Sequence, residues 1–323
     1  MCSIMFPYST LVVFIITLVT SVNASEEKTL RCHTGIIVSI AFSPDGKYLA
    51  SASHDKTAIL WDVKEGKKWK TLKGHTQGVE CIRFANDGKT VATCSGDRSI
   101  RIWDVHTGNQ LAILKGHSDI VNSIDYSPDG KLLVSCSNHE IRLWNVKTKN
   151  EIRITNASDQ INCIAFSPTG KMLATGTGGL FSGSGEVILW DAKTLSENIR
   201  LKEHKGAVVC LAYSADGFTL ASGAADSAVI VWDIKSGQKS YKKSMGIDVV
   251  NSLSIAKNGR LAAGGGFLYT PDISIWNSKS RRSVSVPNYW TDGIGSLAIS
   301  PNGECIAIAK GNKILIRLLV DNP

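Results

Sequence analysis

The chain has 323 residues, of which 43% are hydrophobic and 20% charged, with a formal net charge of +8 and a pI near 9.0. That is a globular composition with ample apolar material for a large core, and it excludes a disordered or collagen-like chain. The basic residues are spread out: the densest clusters are residues 64–73, residues 239–243 and Arg281-Arg282, which read as a solvated rim rather than a dedicated nucleic-acid surface.

The first 24 residues stand apart. MCSIMFPYST has no Lys or Arg, and the apolar run LVVFIITLVT that follows from Leu11 is too short for a comfortable bilayer span, which needs about 20 residues. Val22 and Ala24 supply the small-residue pattern that precedes a signal-peptidase cut, so residues 1–24 read as a secretory signal peptide and residues 25–323 as the folded unit. The missing basic n-region favours the alternative, an uncleaved apolar extension on an intracellular protein.

From residue 28 onward the sequence repeats. Trp61-Asp62, Trp103-Asp104, Trp144-Asn145, Trp190-Asp191, Trp232-Asp233 and Trp276-Asn277 close six similar segments, 41 to 46 residues apart, and a seventh ends in KILIRLL with Arg317 at the Trp position. Each segment carries a tight-turn signature, from SPDGK at residues 43–47 to SPNGE at residues 300–304. Between turns the pattern is that of strands: Val38, Ile40 and Phe42 alternate with Ser39 and Ala41, and the runs YLAS, AILW and WKTL follow, so each repeat yields four short strands. No stretch of residues 28–320 reads as a long helix. Seven four-stranded antiparallel units predict an all-β, seven-bladed β-propeller, because radial closure leaves only short sheet edges exposed.

The segments Gly74-His75 to Trp103-Asp104 and Gly116-His117 to Trp144-Asn145 resemble the WD-repeat family, and the resemblance covers about residues 28 to 320. It implies that each repeat supplies the outer strand of one blade and the inner three of the next. Since KTLRCH at residues 28–33 matches KTLKGH at residues 70–75, the N-terminal strand is expected to complete the C-terminal blade. The resemblance also implies a structural hydrogen-bond network in three full sets: His33, Ser51, Asp55, Trp61; His75, Thr93, Asp97, Trp103; and His204, Ser222, Asp226, Trp232. A His, a hydroxyl and an Asp could pass for a catalytic triad, but a triad is one site and these are three equivalent copies. The third repeat has His117 and Ser135, with His139 where the Asp is expected; the fourth has Ala157 in place of His and a longer loop over residues 178–186; the sixth and seventh lack most of the set.

No other motif points to catalysis, a metal or a cofactor, and none of the three is expected. The cysteines have no C-x-x-C spacing, and Cys81, Cys94, Cys136, Cys163 and Cys210 occupy small-residue positions that recur from blade to blade. Reflection about the Asp87-Gly88 turn puts Cys81 opposite Cys94. Removal of residues 1–24 would leave an odd number of cysteines, which favours a cytoplasmic or nuclear location over the secretory route. Asn156-Ala157-Ser158 is a glycosylation sequon that matters only on that route. Gly264-Gly265-Gly266 and residues 176–179 lack the helix and Lys of a phosphate loop.

The reading that follows is a non-catalytic scaffold, a monomeric propeller within a complex, that binds one or more proteins or peptides on its loop-rich face without a transmembrane span. The alternatives are nucleic-acid association through the basic rim and a propeller enzyme with a site at the channel mouth. The mouth position reads Val38, Glu80, Asn122, Asn162, Val209, Asn251 and Gly295, of which Glu80, Asn122, Asn162 and Asn251 are candidate contacts. Three irregular loops add aromatics where other repeats have small or polar residues: Phe181; Phe267 and Tyr269; Tyr289 and Trp290. Rigid aromatics on protruding loops suit interface anchors.

Overall fold

A computed structural model describes residues 27–179, 183–266, 272–277, 280, 283–284 and 293–319. The described residues form 28 strands in seven four-stranded antiparallel sheets, with no helix among them. Six sheets take their strands in chain order. The seventh joins Lys28–Arg31 to the edge of Lys313–Leu318, with Lys28 opposite Ile316 and Arg31 opposite Lys313. Blade one spans residues 37–73, blade two 79–115, blade three 123–156, blade four 161–202, blade five 208–244 and blade six 252–284; blade seven comprises residues 294–318 with the N-terminal strand.

The core lies between blades. Ala50, Leu60 and Leu72 of blade one pack with Val79, Phe84 and Trp103 of blade two. The seam where the ring closes is built alike, from Leu30, Ile314 and Ile316 of blade seven against Ile37, Ile59 and Trp61 of blade one. Full burial of Leu30, which is 2% exposed, stabilises that seam by roughly 2 kcal/mol.

The innermost strands depart from the simple alternation expected at Val38, Ile40 and Phe42. A β-bulge sits between Ile37 and Ser39, so Val38 has no cross-strand partner. Ile37 and Ile40 are buried, whereas Val38 lines the axis of the ring. The same bulge recurs at Val79/Cys81, Ile161/Cys163, Val208/Cys210 and Ile294/Ser296. One extra residue re-aims a side chain, and that is what turns Glu80 and Asn162 toward the channel.

The turns on the opposite face are stapled locally. Ser43 Oγ donates to Asp45 at 2.6 Å and accepts the Tyr48 N–H at 2.9 Å, while Gly46 takes the left-handed conformation at φ +72° that the turn requires. Ser127 with Asp129 and Ser214 with Asp216 repeat the device.

Candidate functional site

The three repeated sets come together as hydrogen-bonded rows. In blade two, His75 Nδ1 lies 2.8 Å from Asp97 and Nε2 lies 2.8 Å from Thr93 Oγ1, which also accepts the Trp103 Nε1–H at 2.8 Å. Blade one places His33, Asp55, Ser51 and Trp61 alike, and blade five does so with His204, Asp226, Ser222 and Trp232. Since a carboxylate only accepts, Nδ1 carries the ring proton and the hydroxyl donates to Nε2.

The carboxylate also holds the turn. Asp97 Oδ1 accepts from the Ser99 N–H at 3.0 Å and its hydroxyl at 2.6 Å, across Arg98 at φ +66°. A left-handed non-glycine residue costs on the order of 1 kcal/mol and persists because its surroundings over-determine it. Burial works to raise Asp97, but the bonds from Ser99, His75 and Thr76 outweigh it and hold the carboxyl at about 2. The order of groups is that of a triad, yet Ser51, Thr93 and Ser222 are 0% exposed and each hydroxyl oxygen already takes an indole N–H. These hydroxyls are sealed from any substrate.

Blade three corrects the sequence reading. His139, aligned with the missing Asp, is exposed and does not join the set. Glu140 does: its Oε2 lies 3.2 Å from His117 Nδ1, and Oε1 accepts the Ser118 hydroxyl at 2.7 Å. The turn is one residue shorter, so the acid comes from the first residue of the next strand and reaches back with a longer side chain. His117 Nε2 meets Ser135 Oγ at 2.6 Å, and Ser135 accepts from Trp144 at 2.8 Å. Burial, helped by nearby Arg142, lowers His117 to about 4.

Elsewhere the set thins out. In blade four Thr175 accepts from Trp190 at 2.9 Å, with Ala157 at the His position. In blade six Ala263 stands where the hydroxyl would be, the Trp276 Nε1–H is buried without a hydrogen-bond partner among the described residues, and the Lys243 ammonium sits 4.5 Å over the indole. In blade seven Arg317 pairs with Glu27.

At the channel mouth the three asparagines are committed to neighbouring blades. Asn122 Nδ2 donates to Ile161 O at 2.9 Å, Asn162 Nδ2 to Val208 O at 3.1 Å and Asn251 Nδ2 to Ile294 O at 3.1 Å. Glu80 faces His54 at 3.3 Å. Below the mouth the axis opens into a cavity of about 540 Å³ whose wall includes Arg83 and Asp125. The sequence reading stopped at the mouth and missed both. The signal was available three residues further along each innermost strand, where the other blades have only Ala or Ser.

The aromatics Phe181, Phe267, Tyr269, Tyr289 and Trp290 lie outside the described residues. Cys81 does stand opposite Cys94, and the seven described cysteines are free thiols. Burial pushes the Cys94, Cys136 and Cys210 thiols far up, so they stay protonated. Asn156 of the sequon is exposed and ends the outer strand of blade three. Among the described residues no group of His, Cys, Asp and Glu is placed to hold a metal ion, and no helix is long and apolar enough to cross a membrane.

Comparison with known proteins matches residues 24–62 and 196–233 to the WD domain, G-beta repeat, and residues 60–180 to the IFT122 first beta-propeller. Similar proteins include the APC/C activator protein CDC20 of Saccharomyces cerevisiae, 29% identical over 138 residues, or 42% of this chain and 22% of that protein. A chromatin assembly factor 1 subunit of Gallus gallus is 50% identical over 46 residues, 14% of this chain and 8% of its own length. Small ribosomal subunit protein RACK1z of Arabidopsis thaliana is 46% identical over 46 residues, 14% of each chain. The matched segments thus span less than a quarter of each of these relatives.

Proposed function

Because the chain belongs to the WD-repeat β-propeller family, we propose that it is a non-catalytic scaffold that binds a protein or peptide on the loop-rich face. The observation that carries this reading is the use made of the reactive-looking side chains. The His, hydroxyl and acid groups are spent on locking turns, and the mouth asparagines on tying blades together. A ring so braced is a rigid support, and what varies between its blades is the loops. The names of two relatives fit the same role, one part of a chromatin assembly factor and the other a ribosomal subunit protein. In the sequence, residues 180–182 fall between Met172–Thr177 and Glu186–Asp191, residues 267–271 between Arg260–Gly265 and Asp272–Asn277, and residues 285–292 between Ser283–Val284 and Ile294–Ile299. Phe181, Phe267, Tyr269, Tyr289 and Trp290 are the proposed anchors, because large rigid rings bury area at low entropic cost.

The test is affinity capture of tagged protein from its native cell, wild type against the variant carrying Tyr289→Ala and Trp290→Ala, with partners identified by mass. Loss of a partner by a variant with an unchanged melting profile supports the reading. A variant that still captures every partner, or one that unfolds, overturns it.

A further inference from the structure

The axial cavity carries charge that the ring does not need. One residue per blade faces it at the same level, fixed by equivalent cross-strand pairs: Arg83 stands opposite Ala92, Asp125 opposite Val134 and Ser254 opposite Ala262. Four blades place alanine there (Ala41, Ala165, Ala212 and Ala298), blade six places Ser254, and adjacent blades two and three place Arg83 and Asp125. Ser254 shows what the position does for the fold: its Oγ accepts the N–H of Ile299 in the next blade at 3.0 Å. Asp125 makes the same inter-blade bond, to the Phe166 N–H at 2.7 Å. A neutral hydroxyl therefore suffices for the structural role, and the negative charge is surplus to it.

The two charges are close enough to influence one another but do not form an ion pair. Arg83 uses only Nη1 within the protein, donating to Ile82 O at 2.9 Å and Ser39 Oγ at 3.4 Å. Its Nε and Nη2 make no hydrogen bond among the described residues, and the side chain lines the cavity. Asp125 accepts one backbone N–H on each oxygen, from Tyr126 and Phe166, which leaves each oxygen a further lone pair. Burial pushes Asp125 up to about 6 against the pull of Arg83, so its charge is held at a cost. Both side chains are half-buried on the channel wall, so a ligand that enters the channel can meet both charges. The other ionisable groups on the wall apart from thiols and Tyr213 are Glu80, which faces His54, and Lys257.

We propose that this cavity binds a small zwitterion of the amino-acid type, its carboxylate on the open edge of Arg83, its ammonium on Asp125 and its apolar body against the alanines. A guanidinium fork matches a carboxylate with two parallel bonds. A simple anion would meet Asp125 and a simple cation would meet Arg83, so only a ligand with both charges satisfies the pair. A volume of about 540 Å³ lies in the range of small-molecule sites and is ample for an amino acid.

Calorimetric titration of the full chain tests this with L-leucine, with isocaproate, which lacks the ammonium, and with isoamylamine, which lacks the carboxylate. Glycine, L-glutamine and L-phenylalanine extend the panel. At least one amino acid is expected to bind with a submillimolar Kd, and the analogue of leucine that lacks either charge to bind at least about tenfold more weakly than leucine. Arg83→Gln and Asp125→Asn are each expected to weaken amino-acid binding by about tenfold or more. Asp125→Ser copies blade six, so it keeps the inter-blade bond and separates loss of the site from loss of the fold. The proposal is overturned if no amino acid binds below about 10 mM, if isocaproate binds as tightly as leucine, or if binding survives Asp125→Ser. None of these outcomes bears on partner capture by the loop face.

Discussion

Replacing Thr93 by Val isolates the energy of one hydroxyl in the repeated network. The two side chains have nearly the same shape, so the packing around this fully buried position is retained. What is lost is one oxygen that accepts the Trp103 N–H and one proton donated to His75 Nε2, both at 2.8 Å. Neither partner can turn to water, because His75 and Trp103 are both buried. An unsatisfied buried group costs about 1–3 kcal/mol, and burial of the new methyl recovers about 0.8 kcal/mol. The net destabilisation is therefore about 3 kcal/mol. Urea unfolding followed by Trp fluorescence reads it as a lower midpoint at unchanged slope. Adding Asp97→Asn gives a double-mutant cycle, and the sum of the single losses should exceed the double loss, since both act on the same row. A loss below about 1 kcal/mol would refute the claim that the hydroxyl is the hub of the network.

The mirror experiment lies in blade six, where Ala263→Ser offers the Trp276 Nε1–H the acceptor it lacks. Stability should rise by about 1 kcal/mol in the same urea assay. The third prediction is a pH dependence. The folded-state pKa of His117 lies at about 4, below its ordinary value of 6.5, so the unfolded chain binds the proton first. The contribution of neutral His117 is complete above about pH 6.5 and is lost as pH falls toward 4. Melting curves between these limits should show wild type losing stability on acidification and His117→Gln losing less over the same interval.

Much of the fold was legible because its determinants recur. The Trp period set the blades, the turn signatures set the strands, and the match of residues 28–33 to residues 70–75 indicated how the ring closes. What escaped was set by geometry within a repeat. Reading by aligned position put His139 in the acid's place, whereas reach put Glu140 there. The β-bulge that turns Val38 and Glu80 to the axis has no residue signature of its own. Asn122 and Asn251 were named for a partner, but their amide donors meet the carbonyls of the next blade, a register only the assembled ring reveals. Arg83 and Asp125 needed no structure to be found, only the comparison of one further position across the seven strands.

The pairing of Lys28–Arg31 with Lys313–Leu318 also decides the order of events when the chain folds. Contacts within each of the first six blades are local and can form as soon as that stretch is available. The seam joins residues almost the whole chain apart, and long-range pairing is the slow part of β-sheet folding. Until it forms, Leu30 has no apolar partner in the last blade, and two unpaired strand edges stay open to mispairing with other chains. Once formed, the same contact makes loss of one blade a loss of the ring, so resistance to unfolding rests on the seam that is secured last.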